Sequence, residues 1–301
     1  HPKEIERQAR KAALNRVMEA HPADINGRRY RMPPTFFDPT NNLKKTKKHK
    51  ESLSQYSNSI FIIAGDCGIG FNKPQYYDDL FAKFNKILSY NNTFVIMIRG
   101  NHDDPSYFDG ERINLSNIKA IPDYSVVNVQ DKNILCVGGA ISSDRTWRIK
   151  QEGRINRFST TNKKKLYWEN EAPVFNEEAL NEITKSIKIN YVISHTAPSF
   201  VNPESRADID EWSMFDETLV SDIKEERKVL DKVFETLRDH DMKPEYWAYG
   251  HFNMNFIERR SGTLFRCLND GFNPVIIDMD IFSFTQNEML TKKMNKEKKI
   301  S

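Results

Sequence analysis

The sequence contains little cysteine and no long hydrophobic run. Its 301 residues include only three cysteines, Cys67, Cys136 and Cys267, whose odd number and wide spacing argue against a disulfide framework or a zinc site. We expect them to be buried, reduced thiols. No segment approaches the ~18 consecutive apolar residues of a membrane span, and the charged pattern of residues 1–20 is unlike a secretory signal. These absences predict a cytoplasmic protein with no membrane partner.

The chain also has little net charge, but its charge is unevenly distributed. The 45 Lys and Arg residues exceed the 42 Asp and Glu residues by +3. Residues 1–50 carry +8 and residues 292–301 carry +4, which leaves −9 on the residues between them. Basic ends are typical of solvated tails or of contacts with polyanions, and an acidic centre suits a domain that collects divalent cations. A hydrophobic content of 38% excludes a disordered chain.

Charge and hydrophobicity together divide the chain into three regions. Residues 1–50 are predicted to form a basic N-terminal helix and extension, and residues 288–301 a Lys-rich disordered tail. Between them, residues 51–287 are predicted to form the main domain, in which short apolar runs alternate with helical patterns. Two long stretches, residues 140–172 and 197–220, fit neither pattern and are candidate walls of a functional site.

The main domain is predicted to combine strands and helices in layers. A run of strands follows the alternating part, which indicates an α/β architecture with a mixed sheet or two sheets. Strands are predicted at residues 60–64, 94–98, 126–129, 134–138, 191–194 and 246–249, with several more between 256 and 284. Helices are predicted at residues 75–90, 177–187 and about 221–238.

Four of the apolar runs lead directly into side chains that can bind a metal ion or move a proton. They are followed by Gly65-Asp66, by Arg99-Gly100-Asn101-His102-Asp103, by His195, and by Gly250-His251-Phe252-Asn253. Each motif alone is more often structural, as a turn or a hydrogen-bonded histidine. Because ligands bind at the carboxyl ends of strands in α/β sheets, the four motifs together predict that Asp, Asn and two His converge on one rim.

In this order, GD, GNHD, a lone H before TAP, and GH-x-N resemble the motifs of the calcineurin-like metallophosphoesterases. The resemblance covers about residues 59–285. It implies an α/β fold, specifically a four-layer αββα sandwich with two mixed β-sheets. It also implies two metal ions at the strand ends and hydrolysis of a phosphomonoester or phosphodiester by attack of a metal-bound hydroxide.

The resemblance implies a role for each matching residue. Asp66 corresponds to the carboxylate that bridges both metals, and Asn101, His195 and His251 correspond to ligands of the second metal. His102 corresponds to the histidine that contacts the scissile phosphate and protonates the leaving oxygen, with Asp103 as its orienting partner. Oxygen and imidazole ligands in this mixture favour Mn²⁺, Fe or Zn²⁺ over Ca²⁺, with Mg²⁺ as a further candidate.

The sequence departs from the family pattern at the first metal. The family's last motif is Gly-His-x-His, whereas Asn253 stands in the final position here and is the candidate ligand in its place. No Asp-x-His motif precedes Asp66, and two segments partly resemble it, Asp24-Ile25-Asn26-Gly27 and Asp38-Pro39-Thr40. The spacing to Asp66 favours Asp38, for which the other interpretation is a turn aspartate. We therefore expect one or two divalent ions, with weaker binding of the first.

Residues 144–168 form a basic segment of net charge +6 with interleaved aromatic residues. Such segments can hold phosphates and stack on bases, although a solvated surface loop is the other interpretation. Arg145 and Arg148, together with Arg99 after the second strand, are candidate substrate-binding residues. They predict a phosphorylated small molecule or nucleotide as substrate. A nuclease or nucleic-acid end-processing phosphatase, and a degenerate member that binds a phosphorylated ligand with weak catalysis, are the alternatives.

Overall fold

A computed structural model of the chain describes residues 57–129, 132–159, 161, 163–206 and 208–268. The predicted N-terminal extension with Asp24 and Asp38, the Lys-rich tail and the strands expected after residue 268 lie outside these residues. The elements, in chain order, are β1 (Ile60–Ile63), α1 (Pro74–Tyr90), β2 (Phe94–Met97), a 3₁₀ turn (Pro105–Tyr107), β3 (Ile118–Ala120), β4 (Ser125–Val129), β5 (Lys132–Val137), α2 (Arg145–Asn156), α3 (Glu177–Ser186), β6 (Tyr191–Ser194), α4 (Ile209–Ser213), α5 (Leu219–Asp239), β7 (Tyr246–Tyr249), β8 (Phe256–Arg260) and β9 (Thr263–Cys267).

The strands form two sheets. One contains β1, β2 and β3, all parallel, and the other has the order β4-β5-β6-β7-β9-β8. In the second sheet the central strands are parallel, and the β4–β5 and β8–β9 pairs are antiparallel. The predicted α/β fold with two sheets is confirmed. Within the described residues the six-stranded sheet is mixed, as expected, whereas the three-stranded sheet is parallel.

The two sheets pack face to face because their strands alternate apolar side chains between two surfaces. In β2, Val95 and Met97 pack against α1, whereas Ile96, and Ile98 just after the strand, pack against the six-stranded sheet. The opposite face of the six-stranded sheet is covered by α3 and α5. This order of helix, sheet, sheet and helix is the predicted αββα sandwich, and it brings the carboxyl ends of β1 and β2 next to those of β6 and β7.

Helix α2 was not predicted, and its sequence explains why. The segment Arg145–Asn156 contains mostly charged and polar residues, so it has no apolar stripe with helical periodicity. Its one buried residue is Arg148. The helix lies inside the stretch 140–172 that fitted neither pattern. It is held by polar contacts, which a hydrophobic pattern does not reveal, and by the packing of Trp147 against an apolar cluster. The three-residue strand β3 was also missed.

Two expectations about composition can be compared with the structure. Cys67, Cys136 and Cys267 are all buried free thiols, as predicted. Among the described residues, none of the helices combines the length and the hydropathy that crossing a membrane would need.

Replacing Trp247 with alanine is expected to lower the free energy of unfolding by about 3–5 kcal/mol. The Trp247 side chain is fully buried, stacks on Phe265 and donates a hydrogen bond from Nε1 to Ser194 Oγ at 2.8 Å. Urea unfolding followed by circular dichroism measures the change. Tyr90→Ala is the control, since Tyr90 is 91% exposed and its removal should change stability by less than about 0.5 kcal/mol. Equal losses in the two variants would contradict this packing.

Candidate metal centre

Side chains from four strand ends meet at the amide oxygen of Asn101, which follows β2. Asn101 Oδ1 lies 2.9 Å from His195 Nε2 and 3.0 Å from His251 Nδ1. Asp66 Oδ1 lies 3.2 Å from the same nitrogen of His195. Asp66 and Asn101 come from the three-stranded sheet, and the two histidines come from the six-stranded sheet. The expected convergence therefore occurs, across the interface of the two sheets.

These distances fit a metal ion. Ligand atoms at about 2.0–2.2 Å from one ion lie about 3 Å apart when they occupy neighbouring coordination positions, close to the separations found here. Among the described residues, no group of three His, Cys, Asp or Glu side chains is by itself arranged to hold a metal ion. An ion at this cluster would consequently need the Asn101 amide oxygen together with Asp66, His195 and His251.

Two glycines permit this close approach. A Cβ atom on Gly65 would lie 2.2 Å from His195 Nδ1, and a Cβ atom on Gly100 would lie 2.3 Å from both the backbone nitrogen and Oδ1 of Asp66. Gly65 also has φ of +91°, which favours glycine. Asp66 itself has φ of +57°, an uncommon conformation for a residue with a side chain. The backbone is thus folded tightly to bring these groups together.

The electrostatics of the cluster keep Asp66 ionised and His251 neutral, the forms that bind a metal ion, whereas Asp66 outweighs burial and raises the pKa of His195. Burial alone would raise the pKa of Asp66, but His195 and His102 outweigh it and hold this pKa well below its usual range. Burial, assisted by Arg206, holds the pKa of His251 well below its usual value, so this imidazole is neutral. His195 Nδ1 donates to the carbonyl of Ala64 at 2.6 Å, which directs Nε2 towards the cluster.

Asp103 forms hydrogen bonds with the backbone. Its carboxylate accepts hydrogen bonds from the backbone nitrogens of Gly100 at 2.8 Å, Ile69 at 2.9 Å and Cys67 at 3.1 Å. These three bonds join the loop after β1 to the loop after β2. These contacts of Asp103 are with the backbone under the site, and its expected role in orienting His102 stays a prediction.

His102 is in contact with Arg148 of α2. Arg148 Nη2 lies 2.7 Å from His102 Nε2, and Arg148 Nε donates to Asp144 Oδ1 at 2.7 Å. A guanidinium group can only donate, so this nitrogen of His102 is the acceptor and carries no proton in this arrangement. The backbone nitrogen of His102 also donates to Asp66 Oδ1 at 3.0 Å. His102 thus lies between the carboxylate of the cluster and a buried arginine.

The other two candidate substrate-binding arginines are occupied inside the protein. Arg99 is buried, pairs with Asp123 at 2.7 Å and donates to the backbone carbonyls of residues 170–172. Arg145 pairs with Asp216 at 2.6 Å and with Asp222 at 2.5 Å. Both guanidinium groups connect parts of the fold. Of the three arginines, Arg148 is the one in contact with a residue of the site.

Asn253, the candidate ligand in place of the missing histidine, remains a prediction. It is exposed, with φ of +54°, and within the described part of the chain no hydrogen bond joins its side chain to the cluster. The basic segment 144–168 is not a continuous loop, because it contains α2. Its Trp168 is buried, whereas Phe158 is 91% exposed.

Sequence reasoning missed Ser142 and Arg206, which contact residues of the site, and Glu171, which supports Ser142. Ser142 Oγ accepts a hydrogen bond from Asn101 Nδ2 at 2.9 Å, and both the hydroxyl and the backbone nitrogen of Ser142 donate to the buried Glu171. Arg206 donates to the carbonyl of His251 at 3.1 Å. These residues lie in the stretches 140–172 and 197–220, which were expected to border a site, and this position was the one indication of their role in the sequence.

Comparison with known proteins gives one family match. The model of the calcineurin-like phosphoesterase family matches residues 21–254. Among solved structures, TT1561 of Thermus thermophilus is 14% identical, with 76% of this chain and 84% of that chain covered and a TM-score of 0.42. The phosphopantetheinyl hydrolase PptH of Mycobacterium tuberculosis is 12% identical, with 73% and 84% covered and a TM-score of 0.34. Comparison with curated proteins gives no significant match.

Gly100→Ala is expected to weaken the binding of a divalent ion by at least about tenfold, because the added methyl group would collide with the Asp66 backbone and carboxylate. Titration of the metal-free protein with Mn²⁺ in a calorimeter measures the affinity. The control is Gly153→Ala in α2, where an added Cβ atom meets nothing within 4 Å. A folded Gly100→Ala variant with the affinity of the unchanged protein would contradict the described geometry.

Proposed function

The chain belongs to the calcineurin-like phosphoesterase family, whose members hydrolyse phosphoesters with divalent metal ions, and from this premise we propose that it acts on a nucleotide-like substrate. The observation that carries the proposed phosphoester hydrolysis is the cluster of oxygen and nitrogen ligands around Asn101 Oδ1, placed beside the His102–Arg148 pair. A metal cluster next to a proton carrier and a buried cation is what phosphoester hydrolysis requires.

In this proposal a divalent ion is held by Asp66, Asn101, His195 and His251. When bound, such an ion polarises the phosphate and acidifies a water molecule, and the mixture of ligands favours Mn²⁺, Fe or Zn²⁺. Asp66 would be shared with a second ion. The further ligands of that ion would come from residues outside the described part of the chain, and Asp38 is the proposed one.

The protein's own groups would bind the phosphate and move the proton. Arg148 is buried beside His102 and would direct its donors to phosphate oxygens, since guanidinium and phosphate match in geometry. The substrate would thereby draw Arg148 away from His102 Nε2. That nitrogen could then hold the proton that His102 delivers to the leaving oxygen. Arg99 and Arg145 are not part of the proposed substrate site, because both are paired within the fold.

The outer face of α2 supports a second candidate, a nuclease or an end-processing phosphatase for nucleic acid. Lys150, Arg154 and Arg157 follow each other at helical spacing and, with Gly153, line an open groove of about 360 Å³. This face points away from Arg148, which contacts His102 on the inner face. Phe158, 91% exposed at the end of the helix, could stack on a base.

His102→Ala is expected to lower the turnover of an aryl phosphate in the presence of Mn²⁺ by about 10²–10⁴-fold, because the proton donor to the leaving group is lost. Assays with aryl monoesters and diesters, each followed by release of the phenolate, measure the change and separate monoesterase from diesterase action. His240→Ala is the matched control, since His240 is exposed at the end of α5. If the unchanged protein turns over neither ester with Mn²⁺, Fe, Zn²⁺ or Mg²⁺, the weakly catalytic ligand-binding alternative is favoured.

For the second candidate, changing Lys150, Arg154 and Arg157 together to Gln is expected to weaken binding of a single-stranded oligonucleotide and to reduce the dependence of log Kd on log salt concentration by about 2. Fluorescence anisotropy at several salt concentrations measures both. The control changes Lys224, Lys228 and Lys232, three lysines on α5. Equal effects of the two triple changes, or no salt-dependent binding at all, would argue against a nucleic-acid substrate.

A further inference from the structure

Three consecutive side chains after β5 connect the site to the rest of the fold. Ser142, Ser143 and Asp144 are all buried, with exposed fractions of 0%, 4% and 5%. Ser142 contacts Asn101, Ser143 Oγ donates to Asp208 at 2.8 Å, and Asp144 pairs with Arg148. A buried polar group persists in a fold mainly where it is hydrogen-bonded, so each of these contacts fixes a partner in place.

The contact of Ser142 matters because an asparagine amide has two chemically different ends. Only the oxygen can bind a cation, whereas the nitrogen carries two donor hydrogens. Asn101 Nδ2 donates to Ser142 Oγ at 2.9 Å, and Oδ1 therefore faces His195 and His251. Rotating the amide by half a turn would place its NH₂ group against the imidazoles and remove the oxygen from the cluster.

Ser142 is itself held in place by Glu171. The Ser142 hydroxyl donates to Glu171 Oε2 at 2.7 Å and the Ser142 backbone nitrogen donates to Oε1 at 2.6 Å. Burial raises the pKa of Glu171 to about 8, so this carboxyl group can be protonated near neutral pH. In either state the Ser142 oxygen keeps a lone pair for Asn101 Nδ2, because a hydroxyl group has two acceptor positions.

We infer that Ser142 and Glu171 are positioning residues of the metal centre, which select the end of the Asn101 amide that faces the ion. Neither side chain belongs to the proposed ligand set. Ser142 acts through Asn101, and Glu171 acts through Ser142. The inference rests on the metal site of the proposed function and adds the residues that give Asn101 its orientation.

The first test measures Mn²⁺ binding without substrate, by calorimetry on the metal-free protein. Ser142→Ala is expected to weaken binding by about 10–100-fold, the usual effect of losing a group that orients a metal ligand. Ser143→Ala is the matched control, because it removes a neighbouring buried hydroxyl whose partner is Asp208. Ser142→Cys keeps the shape of the side chain but offers only a weak hydrogen-bond acceptor, so it should also bind Mn²⁺ more weakly. It replaces Ser142→Ala if that variant does not fold. Wild-type affinity in the folded variant would overturn the inference.

A second test distinguishes orientation of the amide from general support of the fold. In the Asn101→Asp background both side-chain oxygens can face the ion, so Ser142→Ala should change Mn²⁺ affinity there by less than about threefold. Loss of the same size in both backgrounds would mean a structural role only. Glu171→Gln keeps groups that hydrogen-bond to Ser142 and should retain most of the affinity, whereas Glu171→Ala should lose it. Equal losses in these two variants would also count against positioning.

Failure of this inference and failure of the proposed metal site give different results. If Asn101→Ala weakens Mn²⁺ binding and Ser142→Ala does not, the site stands and the positioning role is wrong. If Asn101→Ala leaves Mn²⁺ binding unchanged, the proposed metal site is wrong, and the positioning inference falls with it.

Discussion

The contact of one amide oxygen with two imidazoles is the interaction on which the candidate site depends. Asn101 follows a strand of the parallel sheet, and His195 and His251 follow strands of the mixed sheet. The contact therefore exists only when the two sheets are packed face to face. Isoleucines between the sheets supply the hydrophobic contribution to that packing, and the polar groups at the end of the interface determine what the packed sheets can bind.

Burying so many polar groups is costly unless each has a partner, and the fold supplies most of the partners itself. Three backbone nitrogens satisfy Asp103, and Glu171 receives two hydrogen bonds from Ser142. Arg99 is satisfied by Asp123 and by backbone carbonyls. These groups form a rigid polar frame around the ligands. The ligands have outside partners as well, and the atoms that these partners leave available, such as Asn101 Oδ1 and His195 Nε2, lie close together.

The sequence predicted the parts of this arrangement that follow from strand periodicity. Apolar runs located the strands, and the residues immediately after them, such as Asp66 and His195, had to lie at one edge because parallel strands end together. The partners of those residues could not be predicted in the same way. Asp103 was assigned to His102 through the family resemblance, whereas in the structure its carboxylate accepts three hydrogen bonds from backbone nitrogens. Arg99 follows β2 just as Asn101 does, yet its long side chain reaches Asp123 instead.

Helix α2 could not be predicted for a related reason, which also bears on its function. A helix without an apolar stripe depends on specific contacts, and α2 is held by the pairs Arg145–Asp216 and Arg145–Asp222, by the contact of Arg148 with His102, and by the packing of Trp147 against an apolar cluster. Because most side chains of α2 are polar or charged, its two faces present different charged groups. Its inner face presents one buried cation to His102, and its outer face presents exposed cations to solvent.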